Sequence, residues 1–120
     1  MRFKKALVKI LLMIVIIFSL FGIKMVYEFA YSPFQVAMRS QDNLVIFYRP
    51  RCSRCHHVAL RVLSKNYFSI KRAYYINANR LDNEELKQAN LTITPGFRYH
   101  GKTIQTVKGD EIDRIINDSK

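Results

Sequence analysis

At 120 residues, the chain has room for one small domain and little else. Its 20 Lys and Arg residues against 9 Asp and Glu give a net charge of +11. The only two cysteines lie three positions apart. They close too small a loop to staple a fold, which argues against a disulfide-rich scaffold.

An apolar stretch at 6–23 carries one charge, Lys9, near its start. A helix needs roughly 20 apolar residues to cross a bilayer, and a lysine near one end can extend its charge back to the headgroups. We predict a transmembrane anchor over 6–23, preceded by a basic cytoplasmic tail at 1–5. One alternative is a cleaved signal peptide, whose apolar core is shorter and whose small-x-small cleavage site is poorly matched here. The other is a buried helix of a soluble protein.

Basic residues are concentrated before this apolar stretch. Three precede it, Arg2, Lys4 and Lys5, and Lys9 lies near its start, whereas only Lys24 closely follows it. The positive-inside rule therefore puts the N-terminus in the cytoplasm and the rest of a single-pass protein outside the cell membrane. Residues 24–120 carry a net charge of +7. This suits anionic headgroups or cell-wall polymers, or is simply a soluble basic surface. Nucleic acid is a poor partner for an extracytoplasmic domain.

Residues 24–43 are predicted to link the anchor to a domain at 44–120. Apolar residues extend the anchor helix toward Pro33, and 34–39 form one further helical turn before a polar break at 40–43. Tyr27, Phe29 and Tyr31 stand where an aromatic belt at the membrane interface would lie.

A strand, a polar turn and a helix are predicted over 44–63, and both cysteines lie in the turn. Residues 45–48 are β-branched or aromatic, which favours a buried strand at 44–48. Pro50 should end the strand because it lacks an N–H. Beyond Cys55, apolar side chains recur at helical spacing, at positions 58, 59, 62 and 63. Cys52 and Cys55 therefore lie where a helix begins.

A helix N-terminus presents free N–H groups and a partial positive charge, and both stabilise a thiolate. Arg51 and Arg54 add full charges beside the cysteines, and an exposed, protonated His56 would add another; a merely solvated His56 is the alternative. Such surroundings lower the pKa of a cysteine and make it reactive. Disulfides form and persist outside the cytosol. Because this pair closes too small a loop to staple a fold, a disulfide that can open and close is the more natural use of the two thiols. An inert pair is the alternative.

After the first helix we predict a basic loop at 65–72 and a strand at 73–78. A short helix follows, capped by Asp82 with Glu85 at its third position. A hairpin with strands at 97–100 and 103–107 around Gly101-Lys102 then leads to a last helix capped by Asp110. Ile112, Ile115 and Ile116 fall on one face of that last helix. The order is βαβαββα. Its first two strands should be parallel, because a helix connects them, and the hairpin completes a four-stranded mixed sheet with flanking helices.

With a strand before the cysteines, a helix after them and Thr94-Pro95 placed 40 residues beyond Cys55, the chain resembles the thioredoxin family over 44–118. The resemblance implies an α/β, minimal thioredoxin-like fold, with the anchor in place of the family's additional N-terminal strand and helix. It implies a cis bond at Thr94-Pro95, facing the cysteines. It also implies that Cys52 is the nucleophile and Cys55 the resolving thiol of a redox-active disulfide, with no separate cofactor.

The chain departs from thioredoxin at two positions that affect chemistry. Thioredoxins have a buried Asp six residues before the first cysteine, where this chain has Ile46, so proton handling must differ. The dipeptide Ser53-Arg54 between the cysteines matches none that identifies a strong oxidase or an isomerase.

Two other uses of the cysteines are alternatives. The run from Cys52 to His56 matches the CxxCH pattern of c-type haem attachment. The same cysteines with His56 and His57 offer four zinc ligands, but within six residues they cannot easily surround one tetrahedral ion.

The prediction for function is a membrane-anchored thiol–disulfide oxidoreductase that acts on exported proteins or peptides, with a redox partner of unknown identity and membrane attachment through 6–23. The alternative is a non-catalytic thioredoxin-like binding module that serves an export system.

Overall fold

The computed structural model describes residues 2–30, 32–67 and 69–120. Helices and strands occur in the order α1 (Arg2–Ala30), α2 (Phe34–Arg39), β1 (Val45–Tyr48), α3 (Ser53–Tyr67), β2 (Tyr74–Asn77), α4 (Asn83–Gln88), β3 (Gly96–Tyr99), β4 (Lys102–Gln105) and α5 (Gly109–Asp118), with a 3₁₀ turn at Ala78–Arg80. From β1 onward this is the predicted βαβαββα order.

The four strands form one mixed sheet in the order β2-β1-β3-β4. β1 pairs with β2 in parallel, with Ile46 opposite Tyr75, and with β3 in antiparallel, with Ile46 opposite Phe97. β4 pairs only with β3 among the described strands. The predicted mixed α/β sheet is therefore confirmed, and β1, which leads into the cysteines, is central.

Helices cover both faces of the sheet. Successive strand residues point to opposite sides, and both sides carry apolar residues that need cover. One face packs on α3 and α5; its buried residues are Leu44, Ile46, Val58, Val62, Ala73, Tyr75, Phe97, Ile112, Ile115 and Ile116. The other face packs on α2 and α4; its buried residues are Ala37, Val45, Phe47, Tyr74, Ile76, Ala78, Ala89 and Leu91. The predicted isoleucine face of α5 is confirmed.

Two predicted boundaries are wrong. Helix α3 continues through 65–67, which we expected to be loop, because Tyr67 is held by a contact far away in sequence: its hydroxyl donates to the Phe18 carbonyl at 2.6 Å. The hairpin turn lies one residue earlier than expected, at His100-Gly101, because Tyr99 pairs with Lys102. Both turn residues have positive φ, 51° and 77°, as a two-residue hairpin turn requires.

Of the two predicted helix caps, Asp82 is confirmed and Asp110 is wrong. The capping box is confirmed, since Asp82 accepts from the Glu85 N–H at 2.8 Å and Glu85 accepts from the Asp82 N–H at 3.1 Å. Asp110 is not a cap and instead lies second in α5. The Thr106 hydroxyl accepts from the Lys108 N–H at 3.0 Å, and this turn starts the helix earlier than we predicted.

Helix α1 is 29 residues long and is apolar enough to cross a membrane. It passes without a break from the predicted anchor into the predicted linker and extends to Ala30, and α2 forms as expected. Tyr31, the third residue of the expected aromatic belt, lies outside the described residues, as do Met1 of the predicted tail and Phe68 of the predicted basic loop.

The last turns of α1, together with Ser32 just beyond the helix, cover the edge of the sheet at β2. Two N–H groups on the side of β2 that faces away from β1 find acceptors there: Ala73 donates to Glu28 Oε1 and Tyr75 to Ser32 Oγ, both at 3.2 Å. Glu28 is only 1% exposed and pairs with Lys24 at 2.6 Å. An exposed strand edge invites pairing with other chains. Here the end of the apolar helix occupies that edge, in the place where a further strand would lie.

Candidate functional site

The turn after β1 brings both cysteines to the start of α3. The Cys52 N–H donates to the Arg49 carbonyl at 3.2 Å, and the Cys52 carbonyl accepts the first helical hydrogen bond, from His56, at 3.1 Å. Cys52 therefore immediately precedes the helix and Cys55 lies in its first turn. The predicted placement of the pair at a helix N-terminus is confirmed.

Several donors converge on the Cys52 sulfur. The Cys55 N–H donates to Cys52 Sγ at 3.1 Å, and the Thr94 hydroxyl donates to it at 3.3 Å. Partial burial opposes ionisation of Cys52, but hydrogen bonds from the Cys55 thiol, from Thr94 and from the main-chain N–H groups of Cys55 and Arg54 outweigh it. The pKa of Cys52 is therefore held below the ordinary value for a thiol.

Cys55 has the opposite character. It is buried, whereas Cys52 is half-buried, and both thiols are free. Burial and the neighbouring Cys52 raise the pKa of Cys55. The two sulfurs thus differ in the way that thiol exchange requires: one is partly exposed with a lowered pKa, and the other is buried with a raised pKa.

The loop before β3 faces the cysteines. The Thr94-Pro95 peptide bond is cis, as the resemblance implied. Thr94 is buried, and its carbonyl lies 3.6 Å from Cys52 Sγ. The structure therefore brings together Cys52, Cys55, Thr94 and Pro95, residues from two segments about 40 positions apart.

The three residues predicted to tune the pKa of Cys52 make different contacts. Arg54 Nε donates to the Thr94 carbonyl at 3.4 Å, and His56 Nε2 lies 2.6 Å from the Pro50 carbonyl. Arg51 is exposed. Side-chain charge on these three residues is not among the causes that lower the pKa of Cys52. Their role in tuning it stays a prediction. Among the described residues, no group of three or more His, Cys, Asp or Glu side chains is placed to hold a metal ion.

An apolar cavity of about 360 Å³ lies beside the cysteine pair. Its lining includes Cys55 and Pro95 from the site, Arg49 from the turn, and Phe29 from α1. The Phe29 ring also stacks on Tyr75, with ring centroids 4.1 Å apart. We missed Phe29 and Arg49 in the sequence. Phe29 looked like part of a membrane belt, and Arg49 could have been noticed as one of three arginines, with Arg51 and Arg54, in the six residues before Cys55.

No protein-family model matches the chain, and a comparison with curated proteins found no significant match. A function for this protein therefore has to be argued from the geometry of the site.

Proposed function

We propose that the protein is a membrane-anchored thiol–disulfide oxidoreductase of thioredoxin-like type, acting on exported proteins or peptides. The observation that carries the proposal is the asymmetry of the cysteine pair. Cys52 is reachable and surrounded by hydrogen-bond donors, whereas Cys55 is buried with a raised pKa one helical turn away. An inert pair has no need of this difference.

The reaction follows from that asymmetry. The Cys52 thiolate attacks one sulfur of a substrate disulfide, the substrate S–S bond breaks, and a mixed disulfide forms while the departing sulfur leaves as a thiolate. Cys55 then gives up its proton, which the departing thiolate can take, and attacks Cys52 Sγ. This closes the Cys52–Cys55 disulfide and releases a substrate reduced by two electrons. The reverse sequence oxidises a dithiol, and a redox partner of unknown identity restores the starting state in either direction.

The proposal also places the domain at 44–120 on the outer side of the cell membrane. Helix α1 anchors the protein, and the basic residues before 6–23 favour a cytoplasmic N-terminus with 44–120 outside. The order βαβαββα, with the cysteines at the start of α3 and a cis-proline before β3, supports a thioredoxin-like fold for that domain.

Trapping of the mixed disulfide tests the reaction. In Cys55→Ser, the attack by Cys52 proceeds but resolution cannot, so a disulfide-bonded peptide should remain attached to Cys52 and be found there by mass spectrometry. Cys52→Ser is the matched control and should trap nothing, because the remaining thiol is buried. Equal, negligible trapping and negligible insulin reduction by the wild type would overturn the proposal and favour a non-catalytic binding module.

A further inference from the structure

We infer that the site selects acidic substrates: polypeptides with Asp or Glu residues close to the disulfide, held by an arginine cluster formed by Arg49, Arg51 and Arg54. The inference rests on the proposed exchange reaction and names the substrate class for it. It assigns to these arginines the recognition of a partner.

The sequence on both sides of Cys52 carries charges of one sign. Residues 43–81 contain eight Lys and Arg and no Asp or Glu. The salt bridges found among the described residues join Lys24 to Glu28 and both Arg61 and Lys65 to Asp113. None of them involves the arginine cluster. Its three guanidinium groups therefore have no carboxylate within the described parts of this chain, and the charge remains available to a partner.

The arginine cluster is built into the site. The Arg49 carbonyl accepts from the Cys52 N–H, so this residue closes the turn that holds the sulfur. Arg54 Nε donates to the Thr94 carbonyl, the same oxygen that lies 3.6 Å from Cys52 Sγ. Arg51 adjoins Cys52 in sequence. An extended substrate advances about 3.3 Å per residue. Carboxylates within two or three residues of its disulfide therefore come within reach of these side chains.

Lipid headgroups are the other anionic surface available, but they lie near the opposite end of α3. Helix α1 contacts α3 at Tyr67, through Phe18 and Phe21 of the apolar stretch. Helix α3 has 15 residues and so is about 22 Å long. Cys52 precedes its first residue. Headgroup charge is screened over roughly 8–10 Å at physiological salt, so the geometry favours an acidic polypeptide as the partner.

The apolar cavity adds a second preference at the same place. Arg49 lines it together with Cys55 and Pro95. A substrate that places carboxylates on the arginine cluster can therefore also present an apolar side chain next to its cysteine.

The test compares substrates that differ in charge alone. Reduced full-length protein in nanodiscs of neutral lipid is mixed with three disulfide-bonded peptides, identical except for Glu, Gln or Lys on both sides of the cysteine. We expect exchange in the order Glu, Gln, Lys, with a Glu-to-Lys rate ratio of about tenfold or more at low salt that falls as salt is added.

Two variants locate the preference. The triple variant Arg49→Gln, Arg51→Gln, Arg54→Gln should bring the Glu-to-Lys ratio close to one. The matched control, Arg39→Gln, Lys102→Gln, Arg114→Gln, removes the same charge from exposed residues near the hairpin end of the sheet and should keep the ratio. Ratios are compared within each variant, so a general change in reactivity does not affect the result.

The outcomes are separable. Exchange with all three peptides at equal rates in the wild type would overturn the inference and leave the proposed function standing. Exchange with none would overturn the proposed function itself. The same measurement is repeated in nanodiscs of anionic lipid. If the triple variant keeps the Glu-to-Lys rate ratio and its rates change only in the anionic discs, the arginine cluster serves the membrane surface and the inference is overturned.

Discussion

Thr94 directs two groups at one sulfur. Its hydroxyl donates to Cys52 Sγ at 3.3 Å and its carbonyl lies 3.6 Å from the same sulfur. The hydroxyl stabilises the thiolate, whereas the carbonyl accepts from the protonated thiol, so this one residue serves both states of Cys52. The sequence position of Arg51 and Arg54 suggests that they also tune the pKa of Cys52, and that role stays a prediction.

Replacing Thr94 by Val tests the role of the hydroxyl, because Val keeps the shape of the side chain and removes the donor. The pKa of Cys52 should rise toward the ordinary thiol value, so less thiolate is present at pH 7. A hydrogen bond to a charged group is worth about 1.5–3 kcal/mol, and water will replace part of it. We expect alkylation by iodoacetamide at pH 7 to slow by about three- to tenfold.

The pH profile of alkylation, read by mass spectrometry at each cysteine, provides the measurement. In the wild type, Cys52 should be modified first and Cys55 only at higher pH. Thr92→Val, which removes an exposed hydroxyl bonded to Gln105, is the control and should leave the profile unchanged. A Thr94→Val profile that superimposes on the wild type would show that the helix terminus alone sets the reactivity of Cys52.

At this scale, the sequence was sufficient for the cysteines, because a strand, a turn and a helix fix their positions locally. The approach of Thr94-Pro95, about 40 residues away, was expected from the resemblance alone. Nor was the sequence sufficient to choose among the donors around the sulfur. The direction of a side chain such as Arg54, toward Thr94 or toward Cys52, is decided by contacts that a linear pattern does not contain.

Among the secondary-structure elements, β2 is the one whose edge depends on α1. Glu28 and Ser32 supply the acceptors for its outward N–H groups. The short capping box at Asp82 was predictable because both partners lie within four residues of each other. The edge cover was not, because Glu28 and Ala73 are 45 residues apart.

Removing the Glu28 carboxylate should therefore loosen this edge. In Glu28→Ala, the Ala73 N–H loses its acceptor and Lys24 loses its ion-pair partner. A buried polar group left unpaired costs about 1–3 kcal/mol, and we expect the free energy of unfolding of the domain to fall by that amount. Glu28→Gln keeps an acceptor oxygen and should lose less.

Hydrogen exchange of the full chain in detergent shows where the loss occurs. The amides of Ala73 and Tyr75 should exchange faster in Glu28→Ala, and Ser32→Ala should affect mainly Tyr75. The matched control is Glu84→Ala, which removes an exposed carboxylate from the first turn of α4. Unchanged protection at Ala73 in Glu28→Ala would contradict the assignment of α1 as the cover of this edge.

For the molecule as a whole, the contacts of α1 with the domain set how the domain would stand on a membrane that this helix spans. Lys24 donates to the Lys71 carbonyl at 3.2 Å, and the Lys71 ammonium lies 5.9 Å from the Tyr99 ring near the hairpin turn. The hairpin end of the sheet is therefore next to Lys24, where the apolar stretch of α1 ends. β1 runs from that side toward Cys52, so in the proposed orientation the thiols face away from the bilayer.

In the proposed orientation, Ile70 is the side chain that faces the lipid. It is 89% exposed and shares a shallow cleft with Ile17, Leu20 and Phe21 of α1. An exposed isoleucine beside an apolar helix is costly in water and favourable at a membrane surface. We therefore expect the loop around Ile70 to enter the headgroup layer when α1 spans the bilayer.

The chain contains no Trp, so a single introduced Trp reports on its own surroundings. In nanodiscs, Ile70→Trp should show blue-shifted emission that lipids brominated near the headgroup quench. Leu60→Trp is the control, because Leu60 is 81% exposed on α3 and lies seven residues from the Tyr67 end. Its emission should resemble that of Trp in water and resist quenching. If the two variants behave alike, the domain does not rest on the bilayer through this loop, and the direction inferred for the thiols loses its support.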